Sequence, residues 1–421
     1  MKKKSSTKDL SLSSNERLYI NSHSIFRPKK YINFKPDGLK IYTFHAGFKK
    51  KLEDLLIIIF EKTAKSINVY SKTSMPSAPI LWDKKNNKGV VKVLIVNSGN
   101  ANAHTGREGI KIIDKYCEFI SKFVGCKKNE ILVSSTGVIG EIFDPQLIIK
   151  QVPKILNNSS CNILDAAKAI MTTDTYPKLS MRIVKIKSKS FKIYGIAKGS
   201  GMIYPNMGTM LAYIFIEADL PKNILNKLMK NNLDNTFNSI STDGDTSTSD
   251  TLILFSLKKT KINFNLKKNY QILNNSISDL MTDLSLKIVK DGEGLSKLIK
   301  LNILNSKSKL QAKKIGFSIL NSSLVKTAIS GEDANWGRII AAIGKSKEKI
   351  NQNKIKIFFG KNLVCQNGFI NKKINLSKLN RYMKNKLIEI NLVLNTGKVN
   401  QTLFGNDLTY EYIRINADYR S

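Results

Sequence analysis

The segment Met207-Gly208-Thr209-Met210-Leu211 offers a short route to chemistry. A small residue precedes a threonine, and the threonine opens an apolar run. If the Gly208–Thr209 peptide bond is cut, Thr209 becomes a chain start. Its hydroxyl then stands beside a free α-amine, whose ordinary pKa is about 7.7–8.0. A base of that strength takes the hydroxyl proton near neutral pH. One residue then supplies both nucleophile and base, with no need of histidine. That suits a chain of 421 residues with three histidines, His23, His45 and His104. The bland alternative is a β-branched residue at a strand start.

Further polar segments break from a background rich in Lys, Asn and Ile. They are Asn97–Gly106 (NSGNANAHTG), Ser134–Gly140 (SSTGVIG), Met171–Thr175 (MTTDT), Ala197–Leu211, Ser241–Thr251 (STDGDTSTSDT), Gly331–Arg338 (GEDANWGR) and Arg414–Ser421. Each is rich in Gly, Ser, Thr or Asp and poor in Lys. Turn chemistry explains any one of them. Seven together point to a shared site. KGSGM lacks the spacing of a phosphate loop. Asp243, Asp245 and Asp250 lack EF-hand spacing and read as turn residues.

These loops need elements to hold them. Val90–Asn102 reads as a buried strand running into a polar turn, and Arg107–Gly125 as a helix with a glycine stop. Ile131–Gly140 reads as strand and turn, Asp165–Met171 as helix, Met181–Gly199 as a hairpin and Thr209–Leu220 as strand. Lys222–Asn232 reads as helix, Thr251–Leu257 as strand, Ser276–Lys290 as a long helix, and Lys354–Phe359 and Leu408–Asn416 as strands. The string is α/β or α+β, too irregular for a barrel. The longest apolar run, Leu55–Phe60, is far below the ~20 residues that span a bilayer and reads as a buried strand. Residues up to about 33 form a polar extension without the apolar stretch of a secretory signal. A cytoplasmic protein with reduced thiols is expected.

The net charge of +37 would suit a polyanion partner. However, eight of the 69 basic residues are arginine, and phosphate recognition favours Arg. The lysines accompany Asn and Ile throughout, as an A/T codon bias would place them at solvated positions. No nucleic acid or membrane partner is expected. The four cysteines contain no CxxC pair, so no cysteine metal site is expected.

The motifs NSGNANAHTG, STGVIG, AIMTTDTYPK, AKGSGMIYPNMGTMLA, DGDTSTSDT, KTAISGEDANWGRI and DLTYEYIRINADY stand in the order found in glutamate N-acetyltransferases, also called ornithine acetyltransferases. From about Gly38 onward the chain resembles that family. The resemblance implies the α/β/β/α sandwich of self-processing amidases and a cut between Gly208 and Thr209. It implies chains 1–208 and 209–421, paired as a heterotetramer of two α and two β chains. The implied reaction moves acetyl from N2-acetyl-L-ornithine to L-glutamate through an acetyl-Thr209 ester, without a cofactor. Members differ in whether acetyl-CoA is also a donor. Thr136 and Gly137 match the oxyanion-hole pair. Thr172, Lys198, Thr209, Glu332, Asn416 and Ser421 match substrate-binding positions. The chain departs from the family at Gly208, usually Ala, and at His104, often Cys. It ends Arg420-Ser421 rather than in two threonines. A self-processing aminopeptidase or amidase, with water as acceptor, is the competing enzyme reading.

Overall fold

The computed structural model describes residues 24–204 and 210–418. Gly208, Thr209 and Ser421 lie outside them.

Eight strands form the first sheet: β1 (Leu39–Phe44), β2 (Leu55–Tyr70), β3 (Val90–Asn100), β4 (Ile131–Val138), β5 (Lys178–Ile186), β6 (Lys189–Lys198), β7 (Leu211–Ala218) and β8 (Thr251–Thr260). Their order is β4-β3-β2-β8-β7-β6-β5, with β1 on β2. The long β2 joins two halves. It pairs with β3 from Leu55, shifts register between Ile59 and Ala64, and pairs with β8 over Lys65–Tyr70.

Alternating side chains show how the halves lie. Leu56, Ile58 and Leu94 of one half share a core with Tyr213, Phe215 and Ile253 of the other. Their neighbours of opposite parity turn outward. Leu55, Ile57 and Val93 pack against the helices α1 (Ala78–Asn86) and α2 (Gly106–Val124). Ile214, Leu252 and Leu254 pack against α5 (Lys222–Leu233) and α6 (Lys267–Val289). The sheet therefore folds over itself between two helical layers, as the α/β/β/α expectation requires. The short α3 (Gln146–Ile149) lies beyond β4, and α4 (Ile163–Ala169) closes part of the inner core.

A second sheet has its own core. Its strands are β9 (Leu298–Ser306), β10 (Lys356–Phe359), β11 (Asn362–Gln366), β12 (Phe369–Ile370), β13 (Leu387–Val393) and β14 (Val399–Asn406), in the order β12-β11-β10-β13-β9-β14. The helices α7 (Lys309–Leu320), α8 (Ser323–Ser330), α9 (Trp336–Lys345) and α10 (Leu376–Met383) accompany it. The last element is α11 (Tyr410–Ala417).

Local sequence accounts for most boundaries. Helix α2 buries Ile112, Ile113, Tyr116, Cys117 and Ile120 at helical spacing, and Gly125 ends it in the left-handed region. Helix α6 starts nine residues before the expected Ser276, because Tyr270 and Leu273 continue its buried stripe. The expected last strand, Leu408–Asn416, is corrected to the helix α11. None of its side chains is fully buried, and Glu411 pairs with Arg414 across one turn. Among the described residues no helix is long and apolar enough to cross a membrane.

Candidate active site

One cavity of about 250 Å³ gathers the ends of several elements. Thr136 and Gly137 come from the end of β4, and Thr172 and Thr173 from the turn before β5. Lys198 comes from the end of β6, Gly201 from the loop after it, and Ser247–Ser249 from the loop before β8. Glu293 comes from the turn between α6 and β9, and Asn416 from α11. Among the expected residues, Thr136, Gly137, Thr172, Lys198 and Asn416 are thus brought together. Ionisable side chains in the described lining are limited to Lys198 and Glu293.

Thr136 and Lys198 are both buried. The Lys198 ammonium donates to Thr136 Oγ1 at 3.1 Å. Lysine has only donors, so the threonine hydroxyl accepts here, and among the described residues no hydrogen bond takes its own proton. Gly137 lies at φ +131°, and a Cβ built there falls 2.2 Å from the Gly99 carbonyl carbon. Only glycine fits this crossing of β3 and β4.

Burial pulls the Lys198 pKa down, against the upward pull of Asp174. Asp174 is a hub. It accepts from the backbone N–H of Gly199 at 2.7 Å and of Thr172 at 3.0 Å. It also faces the fully buried Lys178, whose Nζ lies 2.5 Å from Asp174 and 2.6 Å from Asp291. Burial would raise the Asp174 carboxyl, yet Lys178 and Lys198 together hold it below the usual carboxylate range. Burial pushes Asp291 up to about 6, with Asp174 adding to the rise and Lys178 opposing it. Two carboxylates thus share one ammonium, and the second is the harder to ionise. Asp291 in turn accepts from the Thr175 N–H at 2.9 Å. Three loops that line the cavity therefore hang on one buried cluster.

The acid in the cavity is Glu293, not the expected Glu332. Glu332 is absent from the described lining. It lies at φ +61° beyond α8, half-exposed, with Oε1 3.1 Å from the Lys297 ammonium. Glu293 is half-buried and accepts from the Asn416 side-chain amide at 2.8 Å. Burial raises its pKa, and the Asp243 carboxylate raises it further. Gly201 permits its position, since a Cβ there falls 2.4 Å from Glu293 Oε2. Sequence reasoning missed this residue. Asp291–Gly294 (DGEG) carries the same low-lysine, glycine-rich contrast as the other loops, and that signal could have found it.

Asp243 accepts from the N–H groups of Met202, Ile203 and Asp245, as a turn carboxylate does. Asp250 is different. It is buried, and its Oδ1 accepts the N–H of Met210 at 2.9 Å. The residue that follows Thr209 in the chain is thereby tied to the loop lining the cavity. His104 lies outside the described lining.

The model of the ArgJ family matches residues 40–421. The chain belongs to the ArgJ family. Similar relatives include the arginine biosynthesis bifunctional protein ArgJ of Bartonella henselae, 40% identical over 390 residues. The match covers 91% of this chain and 95% of the relative. That of Rhizobium meliloti is 38% identical over 393 residues, with the same coverage. A crystal structure of the ArgJ protein from Bacillus halodurans is 32% identical, covering half of this chain and all of that one, with a TM-score of 0.47. The ArgJ match begins after the polar extension and takes in every residue that lines the cavity.

Proposed function

We propose that this ArgJ-family chain transfers acetyl from N2-acetyl-L-ornithine to L-glutamate, giving L-ornithine and N-acetyl-L-glutamate. The observation that carries the reading is the cavity itself. It lines one space with Thr136, Gly137, the buried Lys198 ammonium and the Glu293 carboxyl, and Asp250, next in the chain to the lining Ser249, anchors the residue after Thr209. The chain first cuts itself between Gly208 and Thr209, giving chains 1–208 and 209–421. The new α-amine takes the Thr209 hydroxyl proton, and the oxygen attacks the acetyl carbonyl. Thr136 and Gly137 stabilise the oxyanion. The C–N bond breaks, ornithine leaves with the proton, and an acetyl-Thr209 ester remains. The glutamate amine then attacks the ester and frees Thr209. Lys198 faces the substrate α-carboxylate, and Glu293 takes the ammonium role expected for Glu332. Thr172, Asn416 and Ser421 complete the binding set. Two α and two β chains form the assembly. Acetyl-CoA is a second donor, in keeping with the word bifunctional in the relatives' names.

The test is direct. N-terminal sequencing of the purified protein is expected to read Thr-Met-Leu-Ala-Tyr for one of two chains. Labelled acetyl is expected to pass from N-acetylornithine to glutamate without net hydrolysis, and from acetyl-CoA to glutamate. Thr209→Ala is expected to leave the chain uncut and inactive. An intact, fully active chain would overturn the mechanism, and free acetate as the main product would favour an amidase.

A further inference from the structure

We propose that Glu293 carries a proton when glutamate is bound and none when ornithine is bound, so that one cavity accepts side chains of opposite charge. The inference rests on the acetyl-transfer reading above. A cavity of about 250 Å³ lies below the ~300–1,000 Å³ of a pocket for drug-sized ligands. It has room for one small amino-acid derivative at a time, so donor and acceptor occupy it in turn. N-acetylornithine brings one carboxylate and one ammonium. These match Lys198 and Glu293, and the charges cancel. Glutamate brings a second carboxylate where ornithine has its ammonium. If Lys198 holds the α-carboxylate of both, the γ-carboxylate of glutamate meets Glu293.

Two ionised carboxylates in one partly desolvated site repel, and one of them takes up a proton. The shared proton converts repulsion into a hydrogen bond to a charged acceptor, among the stronger kinds. The surroundings of Glu293 suit a group near that balance. Lys198 from β6 favours its charge, as do the Thr173 hydroxyl and the Asn416 amide. Burial and the Asp243 carboxylate oppose it. Tyr412 of α11 lies in the field of both Asp243 and Glu293, its own ionisation suppressed by burial and by both acids. Asp291 lies two positions away, held by Lys178 and Thr175. Each amino acid can therefore tip Glu293 its own way.

The experiment titrates the cut wild-type protein with L-glutamate and with L-ornithine by calorimetry. Neither has an acetyl group to give, so no transfer runs. Measurements near pH 7.5 in buffers of small and large ionisation heat give the protons exchanged. Glutamate is expected to take up close to one proton, and ornithine none. The glutamate affinity is expected to fall towards tenfold per pH unit as pH rises. Glu293→Gln, uncharged at every pH, is expected to bind glutamate without proton uptake and to weaken ornithine at least about thirtyfold. Glutamate binding without proton uptake, at an affinity independent of pH, would overturn the inference while acetyl transfer stands; a swing of the Asn416 amide would then serve the γ-carboxylate. Equal weakening of both amino acids by Glu293→Gln would overturn it too. The calorimetry on wild type needs no variant, so a misfolded Glu293→Gln does not remove the test. Cut protein that binds neither amino acid and transfers no acetyl would overturn the acetyl-transfer reading, and this inference with it.

Discussion

Thr136 receives a hydrogen bond from Lys198 and keeps its own proton to give. That proton is useful chiefly when negative charge grows on a carbonyl oxygen nearby. Contacts that strengthen in the transition state act on turnover rather than on ground-state binding. Thr136→Val keeps the shape and removes the donor. Its kcat is expected to fall about 100- to 1,000-fold with KM changed a few-fold at most, as for other oxyanion donors. Steady-state kinetics on cut enzyme decide this, and a rise in KM alone would remove Thr136 from the oxyanion role. Gly137→Ala should act differently. Its new Cβ would overlap the Gly99 backbone, at a φ that L residues rarely adopt. The neighbour is main chain and cannot rotate away. A lowered melting temperature together with lost activity is expected in a thermal scan. Thr136 and Gly137 were legible in the sequence because STGVIG is a motif. Glu293 was passed over, because a DGEG turn shares the low-lysine contrast of the other loops but is short enough to read as ordinary turn chemistry. What distinguishes it is its convergence with Asn416, 123 positions away in the chain.

The turns of the site are held by the element ends behind them, and the buried Asp174–Lys178–Asp291 cluster is the joint. Lys178→Met removes the ammonium that two buried carboxylates share, leaving only the more distant Lys198 to offset Asp174. Breaking one side of such a pair typically costs about 3–5 kcal/mol, and urea unfolding of the variant is expected to show a loss of that order. The pH dependence has a definite sign. Ionising Asp291 is harder in the fold, at about 6, than in the unfolded chain, near 3.9. Across that window the unfolded state binds fewer protons, so this group lowers stability as pH rises from about 4 to about 6. Asp174 works in the other direction. Its folded value is depressed, so the stability it gives is lost as pH falls below the ordinary carboxylate range. Asp291→Asn should flatten the fall between about pH 4 and 6, read as urea midpoints along a pH series. An unchanged slope would mean that Asp291 is ionised throughout. Continuous apolar runs announced β3, β4, β7 and β8, because each is buried on both faces. Sequence pattern misjudged the C-terminus. Tyr410, Tyr412, Ile413 and Ile415 look like a strand, yet Tyr410 and Ile413 are largely exposed on α11. Tertiary context decided there against local β propensity.

The folded-over sheet gives the whole molecule a property that neither half has. Strand β6 precedes the proposed cut and β7 follows it, yet the two pair antiparallel along Ile193–Lys198. Strand β8 then pairs with β2, from the far side of the proposed cut. Cut protein should therefore run as two chains of nearly equal length under denaturing conditions and as one particle in native mass spectrometry. Segments 1–208 and 209–421 made separately should each be insoluble or inactive, since each would expose the sheet edge that the other covers. A soluble, active 209–421 alone would contradict the shared sheet. The order of strands was beyond sequence reasoning, because pairing between β2 and β8 joins positions about 190 residues apart. The same interleaving changes how the protein fails. Before the cut, unfolding and refolding concern one molecule. Afterwards the unfolded state is two molecules, and recovery becomes a second-order encounter that dilution slows. The proposed cut would thus turn a reversible fold into one kept by its unfolding barrier: an enzyme diluted from denaturant after the cut should regain far less activity than its uncut precursor regains native structure.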